Sequence, residues 1–107
     1  MFVFKAERPI TEVGPGITRQ VLGHDDHLMM VRIAFRQGAV GALHEHPHRQ
    51  VTYVEAGRFE ATVDGSTTVV AAGDCVLVPP GARHGVVALE DGALIDVFTP
   101  AREDLLE

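Results

Sequence analysis

Three histidines and one amide carry the residue types and spacing for metal chemistry. His44 and His46 stand two apart within the run Gly38 to Gly57, and Gln50 heads the apolar stretch that follows. Successive side chains of an extended segment point to opposite faces, so residues two apart share a face and can reach one point. Imidazole nitrogen is a ligand for zinc, nickel, copper and iron. A later segment, Pro79-Pro80-Gly81-Ala82-Arg83-His84, ends on a further histidine between two strand-like runs. A lone His-x-His is more often a chance pair of surface or satisfied core histidines. Two punctuated histidine segments embedded in one β pattern make metal binding the better reading.

A second group lies near the end of the chain. Leu94, Asp96 and Phe98 share one face of an apolar run, with Ile95 and Val97 on the other. A carboxylate in the middle of such a strand is costly unless it is exposed or paired. Asp96 is therefore an outer-face residue, a structural partner of Arg102, or a carboxyl facing a cavity with its pKa tuned for proton transfer. Arg102 is either a planar clamp for a substrate carboxylate or a solvated tail residue. Arg83 is a second cation beside His84, with surface exposure equally open to it. His48 follows Pro47, which disturbs the alternation, and is not counted as a ligand. Tyr53, out of phase with Gln50, is expected in the core. His24, His27 and Cys75 carry no functional expectation.

The elements that must position these residues are short strands. Residues 2–4 and 17–22 read as extended runs separated by Pro9 and a Gly14-Pro15-Gly16 turn. Leu28 to Phe35 alternates, with Met29, Val31, Ile33 and Phe35 the better core face and Leu28 and Met30 making the opposite face apolar. Gln50 to Glu55 follows, then Arg58 to Val63, whose Phe59, Ala61 and Val63 share a face. Asp64-Gly65 is a hairpin signal leading into Thr67 to Ala71. Cys75 to Val78, His84 to Leu89 and Ala93 to Thr99 complete the set, and Ala101 to Glu107 is a charged tail with room for one helical turn. Many short strands, punctuated by Gly, Pro or Asp and without an amphipathic helix, predict an all-β sandwich or barrel.

The 107 residues are enough for a single domain with one core. A formal charge of −6 and no basic cluster argue against nucleic acid or an anionic membrane as partner. The first residues lack the basic start and apolar centre of a signal peptide, and a single cysteine fits a reducing compartment, so the expected location is the cytoplasm.

Gly38, His44, His46, Gln50 and Gly57 match the first cupin motif, G-x5-H-x-H-x3-E-x6-G, with Gln50 in place of glutamate. Gly73, Pro79, Gly81 and His84 match the second, G-x5-P-x-G-x2-H, and Ala88 stands where an asparagine is usual. The chain thus resembles the cupins, double-stranded β-helix jelly-roll barrels that host many chemistries. That resemblance implies that His44, His46, Gln50 and His84 converge on one divalent transition metal inside the barrel. Nickel, zinc, manganese and iron all suit such a donor set. A neutral amide in place of carboxylate leaves the site with a charge of about +2, which favours Lewis-acid over oxidative chemistry and attracts an anion.

A closer resemblance, to the KdgF family of small cupins in pectin and alginate breakdown, runs nearly the whole length. It rests on His-Glu-His-Pro-His-Arg-Gln-Val-Thr-Tyr-Val (44–54), Arg83-His84-Gly85, Asp25 to Val31 and the ending Asp96 to Asp104. It implies conversion of Δ4,5-unsaturated monouronates into linear 4-deoxy-5-keto uronates. The family features of the ending fall on Asp96, Phe98 and Arg102: a general acid/base, a packing surface for the sugar ring and a carboxylate clamp. It also implies an acidic sugar as partner, and the cupin resemblance implies a homodimer, with Leu28 and Met30 as one candidate contact. An iron-dependent cupin dioxygenase and a non-catalytic sugar-binding cupin are the alternatives. Oxygen uptake would mark the first, and binding without turnover the second.

Overall fold

The computed structural model describes residues 1–106. Ten strands run β1 (Thr11–Gly14), β2 (Ile17–His24), β3 (Met29–Phe35), β4 (Val40–His44), β5 (Arg49–Ala56), β6 (Arg58–Val63), β7 (Ser66–Ala71), β8 (Cys75–Val78), β9 (His84–Ala88) and β10 (Gly92–Thr99). They form two antiparallel sheets, one ordered β1-β2-β3-β10-β5-β8 and the other β4-β9-β6-β7. The all-β double-sheet architecture is the one expected. No helix among the described residues is long and apolar enough to cross a membrane.

Alternation positions the core. Met29, Val31 and Phe35 point inward from β3, and Phe59 and Ala61 from β6, all buried. The Asp64-Gly65 hairpin forms as its residue types require. Both residues take positive φ, 47° and 81°, and Val63 pairs directly with Ser66. That is the two-residue turn whose twist matches the flanking strands.

Two expectations need correction. Residues 2–4 form no strand: Phe2 and Phe4 are exposed ahead of a 3-10 turn at Lys5–Glu7. That segment lies against β2, where the buried Gln20 amide donates to the Lys5 and Arg8 carbonyls at 3.2 and 3.3 Å. The edge strand beside β2, which pairs with β3 on its other side, is β1, a strand that Pro9 and the nearby glycines masked. Tyr53 is not in the core but 49% exposed, because its phase opposite Gln50 puts it on the outer face of the larger sheet. The expected helical turn of the tail is a 3-10 turn at Glu103–Leu105, and Glu107 lies outside the described residues.

Candidate metal centre and its cavity

His44 closes β4, His84 opens β9, and the two are partners in register. Gly85 permits that approach: a Cβ there would sit 2.7 Å from the Gly41 carbonyl oxygen. His46 lies in the connection beyond β4, and Gln50 is the second residue of β5. One candidate ligand atom from each of His44, His46 and His84 lies within 4.8 Å of the others. His48 packs its ring 5.4 Å from His46 but is not one of the converging three.

The hydrogen bonds orient this set. Nδ1–H of His44 donates to the Ala42 carbonyl at 3.0 Å, and Nδ1–H of His84 donates to the Ala82 carbonyl at 2.8 Å. In both rings this leaves Nε2 with its lone pair, the form in which a second nitrogen holds a metal ligand in place. Nε2 of His84 is buried and has no hydrogen-bond partner among the described residues. His46 Nε2 and Gln50 Oε1 face each other at 2.8 Å. Burial, the largest cause, holds His46 and His84 below the usual imidazole pKa and so neutral, as ligation requires. An unpartnered buried nitrogen beside neutral nitrogen and amide donors fits a divalent transition metal.

Behind these residues runs a hydrogen-bonded row. Gln50 Nε2 donates to Thr52 Oγ1 at 2.8 Å, and the Thr52 hydroxyl donates to Asp96 Oδ1 at 2.5 Å. The row exists because β5 and β10 pair Thr52 with Asp96 and Gln50 with Phe98, inner face to inner face. Asp96 is only 7% exposed, and burial pushes its pKa up to about 6 against the opposing pull of Thr52, His44, Arg102 and Gln50. The outer-face alternative for Asp96 is thereby excluded. So is pairing with Arg102, whose Nη2 lies 2.6 Å from Asp104 Oδ2.

Arg102 is not a solvated tail residue either. Its guanidinium sits 5.4 Å over the Phe98 ring, which is itself 5.7 Å from His46. The Asp25 turn helps to place this tail. Asp25 Oδ1 accepts from the His27 and Leu28 amides, and the Asp26 carbonyl accepts from the Ala101 amide at 3.3 Å. Arg83 is exposed and does not line the cavity. Thr52 escaped the sequence reading, although its position two residues after Gln50 signals the same face.

These side chains open on one cavity of about 400 Å³ between the sheets. His44, Gln50, Thr52, His84, Asp96 and Arg102 line its polar part, and Ile33, Phe35, Val76 and Leu94 its apolar part. Its size suits a small molecule, and its convergent polar groups could orient one.

A double-sheet jelly roll with three histidines at one end defines a cupin-type barrel. A family model described as a cupin domain matches residues 31–98, and the chain belongs to that family. Within it the chain is KdgF-like. It is 43% identical over 102 residues to the pectin degradation protein KdgF of Dickeya dadantii (strain 3937), covering 94% of this chain and 93% of that one. The crystal structure of an RmlC-like cupin from Shewanella frigidimarina NCIMB 400 superposes with a TM-score of 0.94 at 47% identity, covering 97% of this chain and 94% of that one. The structure of KdgF from a Halomonas species gives a TM-score of 0.94 at 39% identity, with 98% and 97% covered.

Proposed function

We propose that this protein is a metal-dependent enzyme that linearises Δ4,5-unsaturated monouronates, the products of pectin or alginate lyases, to 4-deoxy-5-keto uronates. The observation that carries the reading is Asp96, a buried carboxyl with a pKa of about 6 in the cavity lined by His44 and His84, two of the three converging histidines. The similarity to a pectin degradation protein supports the substrate class.

His44, His46, Gln50 and His84 would hold one divalent cation (nickel, zinc, manganese or iron), and such a cation supplies Lewis acidity that polarises substrate oxygens. The remaining work falls to the chain's own groups. The substrate is a hemiacetal whose ring oxygen is attached to the C4=C5 double bond. Linearisation breaks the bond between C1 and the ring oxygen, removes the anomeric hydroxyl proton and adds a proton at C4, with no net change in atoms. Asp96 can accept the first proton and deliver the second, because its pKa lies near working pH. Thr52 and Gln50 both hold Oδ1, which leaves Oδ2 as the atom that moves the proton. Arg102 presents the donors it does not give to Asp104 to the substrate carboxylate, and Phe98 packs against the sugar ring.

The reading includes a homodimer located in the cytoplasm. Leu28, just ahead of β3, and Met30, on its outer face, are 53% and 42% exposed and are a candidate contact, and sedimentation of a Leu28→Ser/Met30→Ser variant tests it. For the activity, unsaturated monouronate freshly released by a lyase is mixed with purified protein, and ultraviolet loss of the conjugated double bond is followed. Loss faster than the spontaneous rate, abolished by chelation and restored by metal, is expected. No acceleration by fully metallated protein refutes the assignment.

A further inference from the structure

Two arginines line the cavity, and they differ in what they hold. Arg102 donates through Nε and Nη2 to Asp104. Arg19 has no ion pair and no side-chain hydrogen bond among the described residues. Its direction follows from β2. Ile17, two residues earlier on the same face, is 8% exposed, and Arg19 pairs with the inward-facing Ile33. The half-buried Arg19 therefore turns into the cavity, whose lining it shares with Val13 of β1 and Val40 of β4.

A cation held against apolar walls without an anion loses hydration for nothing in return. Arg36, Arg49 and Arg83 also lack an ion pair, but they are exposed to water, whereas Arg19 is half-buried in the cavity wall. Asp96 is the single acidic residue among those lining the cavity, against two arginines. Asp104 already neutralises Arg102, so Arg19 is the cavity cation left without an acidic partner among the described residues, and an anion entering the hollow would supply one.

We propose that Arg19 binds the carboxylate of the ligand, as a second cavity cation in addition to Arg102 and the one whose whole guanidinium fork is available. The identity of that carboxylate as a uronate rests on the function proposed above. The test is calorimetric titration of metal-loaded protein with galacturonate, which has no double bond to lose, and with neutral galactose. Wild-type protein is expected to prefer galacturonate by about tenfold or more, the range of a charge-assisted contact. Arg19→Met should lose that preference, weakening galacturonate about tenfold and leaving galactose unchanged, while Arg19→Lys restores part of it. Arg58→Met, on the outer surface, should alter neither, and metal content should be equal in all four proteins. In turnover, Arg19→Met should raise KM about tenfold with kcat nearly unchanged. Unaltered galacturonate affinity in Arg19→Met, equal weakening of both sugars, or a wild type that does not prefer galacturonate would each overturn the proposal. Preference for galacturonate lost in Arg19→Met, but without turnover of unsaturated uronate by wild type, supports Arg19 and refutes only the proposed reaction.

Discussion

The two ends of the barrel are built from the same strands and do opposite work. At one end Val54 of β5 and Leu94 of β10 are register partners, packed with Phe35, Phe59 and Ala88. Phe35 and Phe59 meet edge to face there, with ring centroids 5.2 Å apart. Two residues along the same strands, Thr52 faces Asp96, and beyond them Gln50 faces Phe98. The inward period of two is unbroken, but residue type changes from hydrocarbon to amide, hydroxyl and carboxyl. The polar end is tolerated because its groups lie opposite one another and satisfy each other in a row. The apolar end supplies the burial that offsets them.

If that division holds, the ends respond differently to substitution. The largest effect on folding belongs to Phe59, wholly buried at the apolar end. Phe59→Ala should cost about 3–5 kcal/mol in chemical denaturation, while metal affinity per folded molecule stays within the error of a titration. Asp96→Asn should do the reverse, lowering kcat by about 10²–10⁴ with metal content intact. Full activity in that variant would remove Asp96 from the reaction.

The same carboxyl makes the polar end pH-sensitive. Its folded pKa of about 6 lies above the ordinary 3.8, so between those values the folded state holds more protons than the unfolded one. This contribution to stability is present at pH 4 and lost as pH rises through 6. Its size is about 3 kcal/mol for a shift of this order. His46 and His84, with pKa values lowered by burial, act in the opposite sense, gaining stability as pH rises through the imidazole range. Chelated wild-type and Asp96→Asn proteins should therefore be compared. Denaturation midpoints should move in favour of the asparagine variant from pH 4 to 7, and a constant difference would contradict a raised Asp96 pKa.

Thr52→Val gives the smallest shift. Removing the hydroxyl that stabilises the Asp96 carboxylate should move the acid limb of the kcat profile upward by about one pH unit, since such a bond contributes about 1–1.5 kcal/mol. An unmoved limb would mean that Asp96 does not report through Thr52.

Much of this division was legible in the residues. Period-two alternation in β3, β6 and β10, the Asp64-Gly65 turn and the two histidine segments are local patterns, and local patterns set strand faces and turn geometry without reference to distant chain. Asp96, Phe98 and Leu94 share their face for that reason alone. The fold class and the convergence of His44, His46 and His84 follow from such patterns together with the motif spacing. What needed tertiary structure is whatever depends on a partner far along the chain. The Thr52–Asp96 hydrogen bond spans 44 residues and exists only because β5 and β10 are neighbours. Tyr53 faces outward because the second sheet covers only one side of the first, and alternation cannot say which side that is. Likewise, the pairing of Arg102 with Asp104 and the turn of Arg19 into the cavity depend on how the tail and the sheet edge close around the barrel. A strand's own residues choose its faces, but only the neighbouring strands decide which face becomes the inside.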